Sequence, residues 1–143
     1  MIDEYIIDYD DYIGIGAGSV SFLGGDFLVN SFSLEGYHNL IAQDNLPVVR
    51  MRRLTDKEHY RYYMLTKFFG MGLNTAAFKK RYAGDIHNKL RAELLFFKAA
   101  GIISEKEGFI SVTRRGMYPV GIMMKEFFAS LNTLREYCIE NEI

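Results

Sequence analysis

The chain has 143 residues, of which 49% are hydrophobic and 15% aromatic, and its formal net charge is −1. Such a composition is that of a folded protein with one good core, and its charge favours neither nucleic acid nor an acidic membrane as a general partner. The single cysteine, Cys138, excludes an internal disulfide and any iron–sulfur site built by one copy of the chain. No apolar run could span a bilayer and no signal peptide is recognisable, so we expect no membrane partner and a cytoplasmic protein.

The chain begins with acidic and aromatic residues. Asp8, Asp10 and Asp11 lie close together, but neither a glycine nor a terminal glutamate follows at the spacing of a calcium-binding loop. We interpret them as a solvated approach to the first strand, with a metal site as the alternative.

Three glycines at alternate positions between 14 and 18 precede a run of extended-type residues. A dinucleotide fingerprint would place a further glycine at the opening of a helix, and a P-loop would end in Gly-Lys-Ser/Thr; neither pattern is present. We therefore expect a glycine-rich strand that another backbone could approach closely. Gly24 and Gly25 then separate two β-prone runs, which predicts a hairpin over about 13–31 with a two-residue turn.

Ser33 is the predicted N-cap of a short helix over about 34–43. Its apolar residues share one face at helical spacing. They are Leu34, Tyr37, Leu40 and Ile41. The segment 48–53 that follows is predicted to be a connector with a basic cluster.

Three helices are predicted next. Thr55 and Glu58 have the spacing of a capping box, and the helix they open is predicted to end near Phe69. Two more are predicted over about 75–82 and 86–100, each preceded by a capping side chain and closed by a glycine.

The end of the chain combines a small hairpin with a long helix. Two short extended runs surround a charged turn within 102–112, and Thr113 is the predicted cap of the last helix. Pro119 could kink that helix or delay its start. Apolar residues are spaced along it, namely Phe127, Leu131, Leu134 and Cys138.

Three helices, a hairpin and a helix follow the order of a winged-helix domain. We expect an α+β fold that is mainly helical, with two domains. Residues 1–45 are predicted to form a strand, hairpin and helix that cannot close a core alone, and residues 50–143 a winged-helix-like domain.

Several motifs occur in a characteristic order. They are Asp11-Tyr-Ile-Gly-Ile-Gly-Ala-Gly-Ser-Val-Ser-Phe22, Leu34-Glu-Gly-Tyr37, Phe69-Gly-Met-Gly-Leu73 and Ser111-Val-Thr-Arg-Arg-Gly116. Through these motifs and their order, nearly the whole sequence resembles the C-terminal part of one family, the oxygen-independent coproporphyrinogen III oxidases that use radical S-adenosylmethionine (SAM) chemistry. The family includes haem-utilisation relatives, which the tail Met123-Met-Lys-Glu-Phe-Phe128 resembles most.

The resemblance implies that residues 1–45 are the remnant of a (β/α) barrel and that the winged-helix-like domain helps to enclose a substrate. In the family the barrel binds a 4Fe-4S cluster through C-x-x-x-C-x-x-C. The cluster cleaves SAM to a radical, and the full enzymes act on porphyrinogens or haem-like tetrapyrroles. This chain lacks that motif. We therefore expect no cofactor in it, no catalytic or metal-binding residue, and a fragment whose partner is the missing N-terminal radical SAM barrel.

The resemblance also assigns site residues. Val20 corresponds to an apolar residue that contacts SAM in the family. Because a tetrapyrrole carries propionates, Arg50, Arg52 and Arg53 are candidate substrate-binding residues. Each of these arginines could instead be a solvated side chain.

A winged-helix module that binds nucleic acid or protein is the alternative function. The third helix would then enter a groove and the turn at 104–108 would be the wing. That turn carries Glu105 and Glu107 beside Lys106, which does not favour phosphate contacts.

Two further hypotheses concern haem and self-association. His38, His59 and His87 lie in three different segments, and none has a motif that fixes an axial haem ligand. The edge of the first hairpin is predicted to be unpaired, which favours a homodimer through residues 1–45.

Overall fold

The computed structural model describes Asp8 and residues 11–141. It is a mixed α and β structure in which about half of the described residues are helical, which confirms the α+β class. Two compact units divide the chain. The helical unit comprises Met1–Tyr9 and Thr55–Lys125, and the sheet unit comprises Asp10–Leu54 and Glu126–Ile143.

The sheet unit contains a three-stranded antiparallel sheet in the order β1-β2-β3. The strands are β1 (Val20–Leu23), β2 (Asp26–Asn30) and β3 (Val48–Arg53), and helix α1 (Leu34–Ala42) connects the last two. The turn between β1 and β2 is the predicted one, because Gly24 and Gly25 have φ of 56° and 90°, and Leu23 pairs with Asp26 across it. Ser33 caps α1 by accepting a hydrogen bond from the backbone of Gly36, as predicted.

The segment predicted as a connector is in fact strand β3. It pairs with β2 along its length, with Phe27 opposite Arg52 and Val29 opposite Arg50. The sequence prediction was wrong because the three charged side chains in this segment hid a period-two pattern, which only the neighbouring strand makes visible. Strand β2 is consequently paired on both sides, and β1 and β3 are the edge strands of the sheet.

The glycine-rich run is a loop, which corrects the predicted strand. Only an isolated bridge joins Tyr12 to Phe22 before β1 begins at Val20. Gly16 and Gly18 have φ of 101° and 70°, outside the range of extended backbone. Gly16 and Gly18 are therefore required because the backbone of this loop turns at positive φ, and not because a neighbouring strand packs closely against them.

The helical unit begins at the predicted capping box. Thr55 Oγ1 accepts a hydrogen bond from the Glu58 amide, while the Glu58 carboxylate accepts one from the Thr55 amide. The elements in order are α2 (Asp56–Phe69), β4 (Gly72–Asn74), α3 (Thr75–Tyr82), α4 (Ile86–Lys89), α5 (Arg91–Ala99), β5 (Ile103–Lys106) and β6 (Phe109–Val112). The last two form the predicted hairpin, and the unpredicted β4 adds to it in the order β4-β6-β5.

The single helix predicted over 86–100 is interrupted at Leu90. This residue has φ of −127° and ψ of 39°, although its amide still donates to the Ile86 carbonyl at 2.8 Å. Its side chain is fully buried. The interruption is a change of helix direction at a core residue, without the glycine or proline that would have signalled it in the sequence.

Aromatic rings form much of the core of the helical unit. Phe78 is fully buried and its ring centroid lies 5.7 Å from those of Tyr60 and Tyr63 and 4.8 Å from that of Tyr82. These distances are typical of stabilising edge-to-face and tilted ring pairs.

The last helix, α6 (Met117–Glu140), contributes to both units, since Lys125 is the last residue of one and Glu126 continues the other. The predicted domains, 1–45 and 50–143, place all of it in one domain. The Gly116 amide donates to Thr113 Oγ1 at 3.0 Å, so Thr113 caps the start as predicted. The Met117 amide donates to the Thr113 carbonyl at 3.1 Å and the Val120 amide to the Gly116 carbonyl at 3.0 Å, so the helical hydrogen bonds begin before Pro119 and resume directly after it. None of the helices in the described residues combines the length and apolarity that a membrane crossing requires.

Candidate functional site

A cavity of about 440 Å³ lies in the sheet unit between one face of the sheet and one face of α6. The sheet contributes Val20, Phe27, Val29, Arg50, Met51 and Arg52. The helix contributes Phe127, Ser130, Leu131, Leu134, Tyr137 and Cys138. The cavity is therefore mostly apolar, with two guanidinium groups on one wall.

The sheet register explains which arginines reach the cavity. Val20 pairs with Val29, and Val29 pairs with Arg50, so the three form one row across the sheet. Arg52 lies two residues along β3 from Arg50 and pairs with Phe27. Because alternate residues of a strand share a face, both arginines lie on the same face as Val20. The structure thus brings together Val20, Arg50 and Arg52 of the predicted site.

Arg53 does not line the cavity. It pairs in register with Asp26, and its Nη2 lies 3.2 Å from Asp26 Oδ2 in a salt bridge. Its side chain is 80% exposed. The third predicted arginine therefore neutralises a carboxylate on the other face of the sheet.

The helix wall follows the spacing seen in the sequence. Phe127, Leu131, Leu134 and Cys138 recur at intervals of four, three and four residues, which places them on one side of the helix. Cys138 is buried, whereas Leu134 and Tyr137 remain about half exposed. The cavity accordingly has an open rim at Leu134 and Tyr137, while Cys138 belongs to its buried wall.

Asn30 holds the glycine loop beside the start of β1. Its side-chain nitrogen donates to the carbonyl of Gly16 at 3.1 Å and to Ser19 Oγ at 2.9 Å, and the residue is 7% exposed. The Gly18 amide donates to the Ser31 carbonyl at 2.8 Å. A Cβ on Gly18 would lie 2.7 Å from the Phe32 ring, and its φ of 70° also disfavours other residues. This network holds the glycine loop next to Val20 at the start of β1.

The charge of the cavity is positive. Among the described residues that line it, Arg50 and Arg52 are charged and no carboxylate is present. Arginine recognises carboxylates with a planar pair of donors, and such contacts strengthen next to apolar surface. The arrangement can hold an apolar ligand that carries an acidic group.

The other candidate ligands are not brought together. His38 lies on α1 in the sheet unit, whereas His59 and His87 lie on α2 and α4, and His87 Nε2 is 3.1 Å from Glu105 Oε1. In the part of the chain that the structure describes, no three potential metal ligands cluster.

The aspartates near the start of the chain have other contacts. Asp8 forms a salt bridge with Lys67 at 3.4 Å, and Asp11 accepts a hydrogen bond from the Gly24 amide at 3.1 Å. Asp10 lies outside the described residues.

Comparisons with known proteins give two relatives. No family model matches the chain. The heme chaperone HemW of Bacillus subtilis (strain 168) is 25% identical over 111 residues, which cover 75% of this chain and 28% of that protein. The structure of coproporphyrinogen III oxidase (HemN) from Escherichia coli, a radical SAM enzyme, matches with a TM-score of 0.63 and 17% identity over 78% of this chain and 26% of that one.

The chain spans little more than a quarter of the length of either relative. The structural likeness concerns the fold, and the sequence likeness to HemW runs over most of the chain. The family predicted from the motifs is thereby confirmed, at modest identity. The chain is related to the C-terminal region of the radical SAM coproporphyrinogen III oxidase family, together with its haem-utilisation relatives.

Proposed function

We propose that this chain acts as the C-terminal region of an oxygen-independent coproporphyrinogen III oxidase-like radical SAM protein of tetrapyrrole metabolism. It helps to enclose the substrate and is not catalytic by itself. The observation that carries the proposal is the apolar cavity of the sheet unit with Arg50 and Arg52 on the face that also presents Val20.

The chemistry of a tetrapyrrole matches the cavity. The macrocycle is flat and apolar, and its propionates are anionic at neutral pH. Arg50 and Arg52 are separated by two residues of a strand, about 7 Å, so each could take one carboxylate. Leu131 and Phe127 lie on the helix wall opposite, where they would contact the ring.

Because the rim of the cavity is open, another part of the protein is needed to enclose the substrate completely. Tyr137 is 54% exposed and Leu134 is 41% exposed at the edge of the cavity. A large ring held between the sheet and α6 would leave one edge uncovered there. We assign the covering surface to the N-terminal radical SAM barrel of the parent protein.

The residues of this chain do not fit the cluster of that barrel. A site-differentiated cluster takes three thiolates, and the chain has one cysteine, Cys138, which is buried in the cavity wall. Val20 can offer SAM only an apolar contact. The role of the chain in the reaction is thus limited to binding and orienting the substrate.

The remaining features belong to the same proposal. We assign residues 1–45 to the end of a (β/α) barrel and residues 50–143 to a winged-helix-like domain, because α2, α3 and α5 precede the β5–β6 hairpin and α6. The proposed compartment is the cytoplasm, where tetrapyrrole enzymes of this family are expected.

Titration with coproporphyrin III and with haem, followed by absorbance and fluorescence, tests the proposal. We expect saturable binding at micromolar affinity. The double variant Arg50→Gln/Arg52→Gln should raise the Kd by about tenfold or more, as expected when charge-assisted hydrogen bonds are lost. The matched control Arg53→Gln removes the same charge from the other face of the sheet and should leave the Kd within about twofold.

Two results would contradict the proposal. One is the absence of saturable binding to either ligand. The other is an equal loss of affinity in Arg53→Gln, which would show that general positive charge, and not the cavity, attracts the ligand. Circular dichroism of each variant verifies that the fold is retained.

A further inference from the structure

The helical unit contains a separate cavity of about 310 Å³ between α5 and the β5–β6 hairpin. Its floor is formed by Leu94, Ile103 and Ile110, which are 6%, 6% and 1% exposed. The side chain of Leu95, 56% exposed, forms part of the rim. The volume lies at the lower end of the range typical of small-molecule sites, about 300–1,000 Å³.

Two cationic side chains line the same cavity. Arg91 and Lys98 line the cavity and are separated by seven residues of α5, which puts them on one side of the helix about 10 Å apart. Within the described residues, neither side chain forms a salt bridge or a side-chain hydrogen bond. Their charges are available to a ligand.

The one carboxylate of the cavity has a partner. Glu105 Oε1 lies 3.1 Å from His87 Nε2 at one end of the cavity. Asn88 adds a neutral hydrogen-bonding group beside them. The net charge of the residues that line the cavity is therefore positive, and the floor of the cavity is apolar.

We propose that this cavity binds a small amphiphilic carboxylate, such as a medium-chain fatty acid or an arylalkanoate. The carboxylate contacts Arg91 or Lys98, since guanidinium and ammonium groups bind carboxylates with charge-assisted hydrogen bonds. The apolar body lies on this floor and against the exposed side chain of Leu95, and removal of the apolar surface of the ligand and of Leu95 from water drives binding. The site is independent of the arginine-lined cavity of the sheet unit.

The test uses the whole chain with ¹³C-labelled isoleucine and leucine methyl groups, titrated with octanoate and with 4-phenylbutyrate. We expect saturable chemical-shift changes at the Ile103 and Ile110 methyls with a Kd in the millimolar range or below, as is usual for ligands of this size. Octanamide has the same chain without the charge and should bind at least about tenfold more weakly.

Matched variants separate the cavity from general charge. Arg91→Gln/Lys98→Gln should raise the Kd for octanoate by about tenfold, whereas Lys79→Gln/Lys80→Gln, on α3 and outside the cavity, should not change it. The proposal is overturned by equal affinity for octanamide, by equal loss in the two double variants, or by no saturable shift at Ile103 and Ile110 up to about 10 mM of either carboxylate.

Discussion

The two units use their apolar residues differently. In the helical unit Phe68, Leu73 and Phe78 are fully buried, and elements from α2 to β6 pack around them. In the sheet unit α1 has no buried residue, Leu34 is 68% exposed, and Ile15 in the glycine loop is 89% exposed. The helical unit buries its apolar side chains to stabilise the fold, whereas the sheet unit leaves a large part of them accessible.

Accessible apolar surface has a cost in water and is usually retained for binding. In the sheet unit that surface includes the cavity with Arg50 and Arg52. There the side chain of Asn30 holds the loop beside the cavity through hydrogen bonds to Gly16 and Ser19. The contrast indicates that the helical unit supplies stability and that the sheet unit supplies the proposed substrate surface.

Removal of a buried ring should have the largest effect on stability. Phe78→Ala would leave a cavity among Tyr60, Tyr63 and Tyr82 and should reduce the free energy of unfolding by about 3–5 kcal/mol. The control Phe96→Ala removes a ring that is 65% exposed and should change it by less than about 0.5 kcal/mol. Urea denaturation measures both, and similar losses in the two variants would remove the basis of the comparison.

The polar network of the sheet unit should have an intermediate effect. Asn30→Ala deprives the Gly16 carbonyl and Ser19 Oγ of a donor, which should cost about 1–3 kcal/mol. Asn45, which is exposed, provides the matched control, and Asn45→Ala should be nearly neutral. Amide chemical shifts of Gly16 and Gly18 should move in the first variant only. Unchanged shifts and stability in Asn30→Ala would mean that the loop is held by other contacts.

Loss of a helix cap should destabilise the helical unit more than the sheet unit. Thr55→Ala removes the capping box of α2, a helix with six buried residues, and should cost about 1 kcal/mol. Ser33→Ala removes the cap of α1, which buries none, so fraying of that helix should cost less than half as much in global unfolding. Equal losses would show that α1 is as tightly coupled to the fold as α2. Urea denaturation of both single variants measures this difference.

The smallest effect concerns the ion pair of Glu93 in the helical unit. Partial burial acts to raise the pKa of Glu93, but hydrogen bonds from its own backbone amide and from Arg61, with the charges of Arg61 and Lys57, lower it overall. Arg61 Nη2 lies 2.7 Å from Glu93 Oε1. A carboxyl whose pKa is lower in the folded state stabilises the fold above its unfolded pKa of about 4.3 and loses that contribution as the pH falls through the folded value.

Arg61→Gln should therefore reduce stability at neutral pH by only about 0.2–1 kcal/mol, because the pair is partly exposed, and the difference from wild type should shrink in acid. NMR titration of Glu93 should show its pKa rising in the variant. An Arg114→Gln control should leave that pKa unchanged. A difference in stability that persists at low pH would point to lost packing of Arg61 instead of its charge.

Local chemistry was predictable from the sequence. The Gly24-Gly25 turn and the caps at Ser33, Thr55 and Thr113 all depend on residues a few positions apart, and each is present. Pairing between distant segments was not predictable from the sequence. That β3 joins the sheet follows from its contact with β2, which no local pattern encodes.

The candidate site shows the same limit. The family resemblance selected Val20 and the chemistry of propionates selected three arginines, but only the register separates Arg50 and Arg52 from Arg53. The opposite wall comes from α6, whose lining residues are more than a hundred residues away from β1 in sequence, and no spacing rule joins the two. The homodimer through residues 1–45 stays a prediction, now with β1 and β3 as the sheet edges, and light scattering of the chain measures it.

We propose that the sheet unit, and not the helical unit, binds the tetrapyrrole. Coproporphyrin III titrated into the chain with labelled valine, leucine and isoleucine methyls tests it directly, because the ring current of the macrocycle shifts nearby methyl signals. We predict saturable shifts at Val20, Val29 and Leu131, with Leu94 and Ile110 unchanged, and in Arg50→Gln/Arg52→Gln the same shifts should need about tenfold more ligand or higher to saturate. Shifts at Leu94 and Ile110 alone, or none at Val20, Val29 and Leu131, would contradict the account.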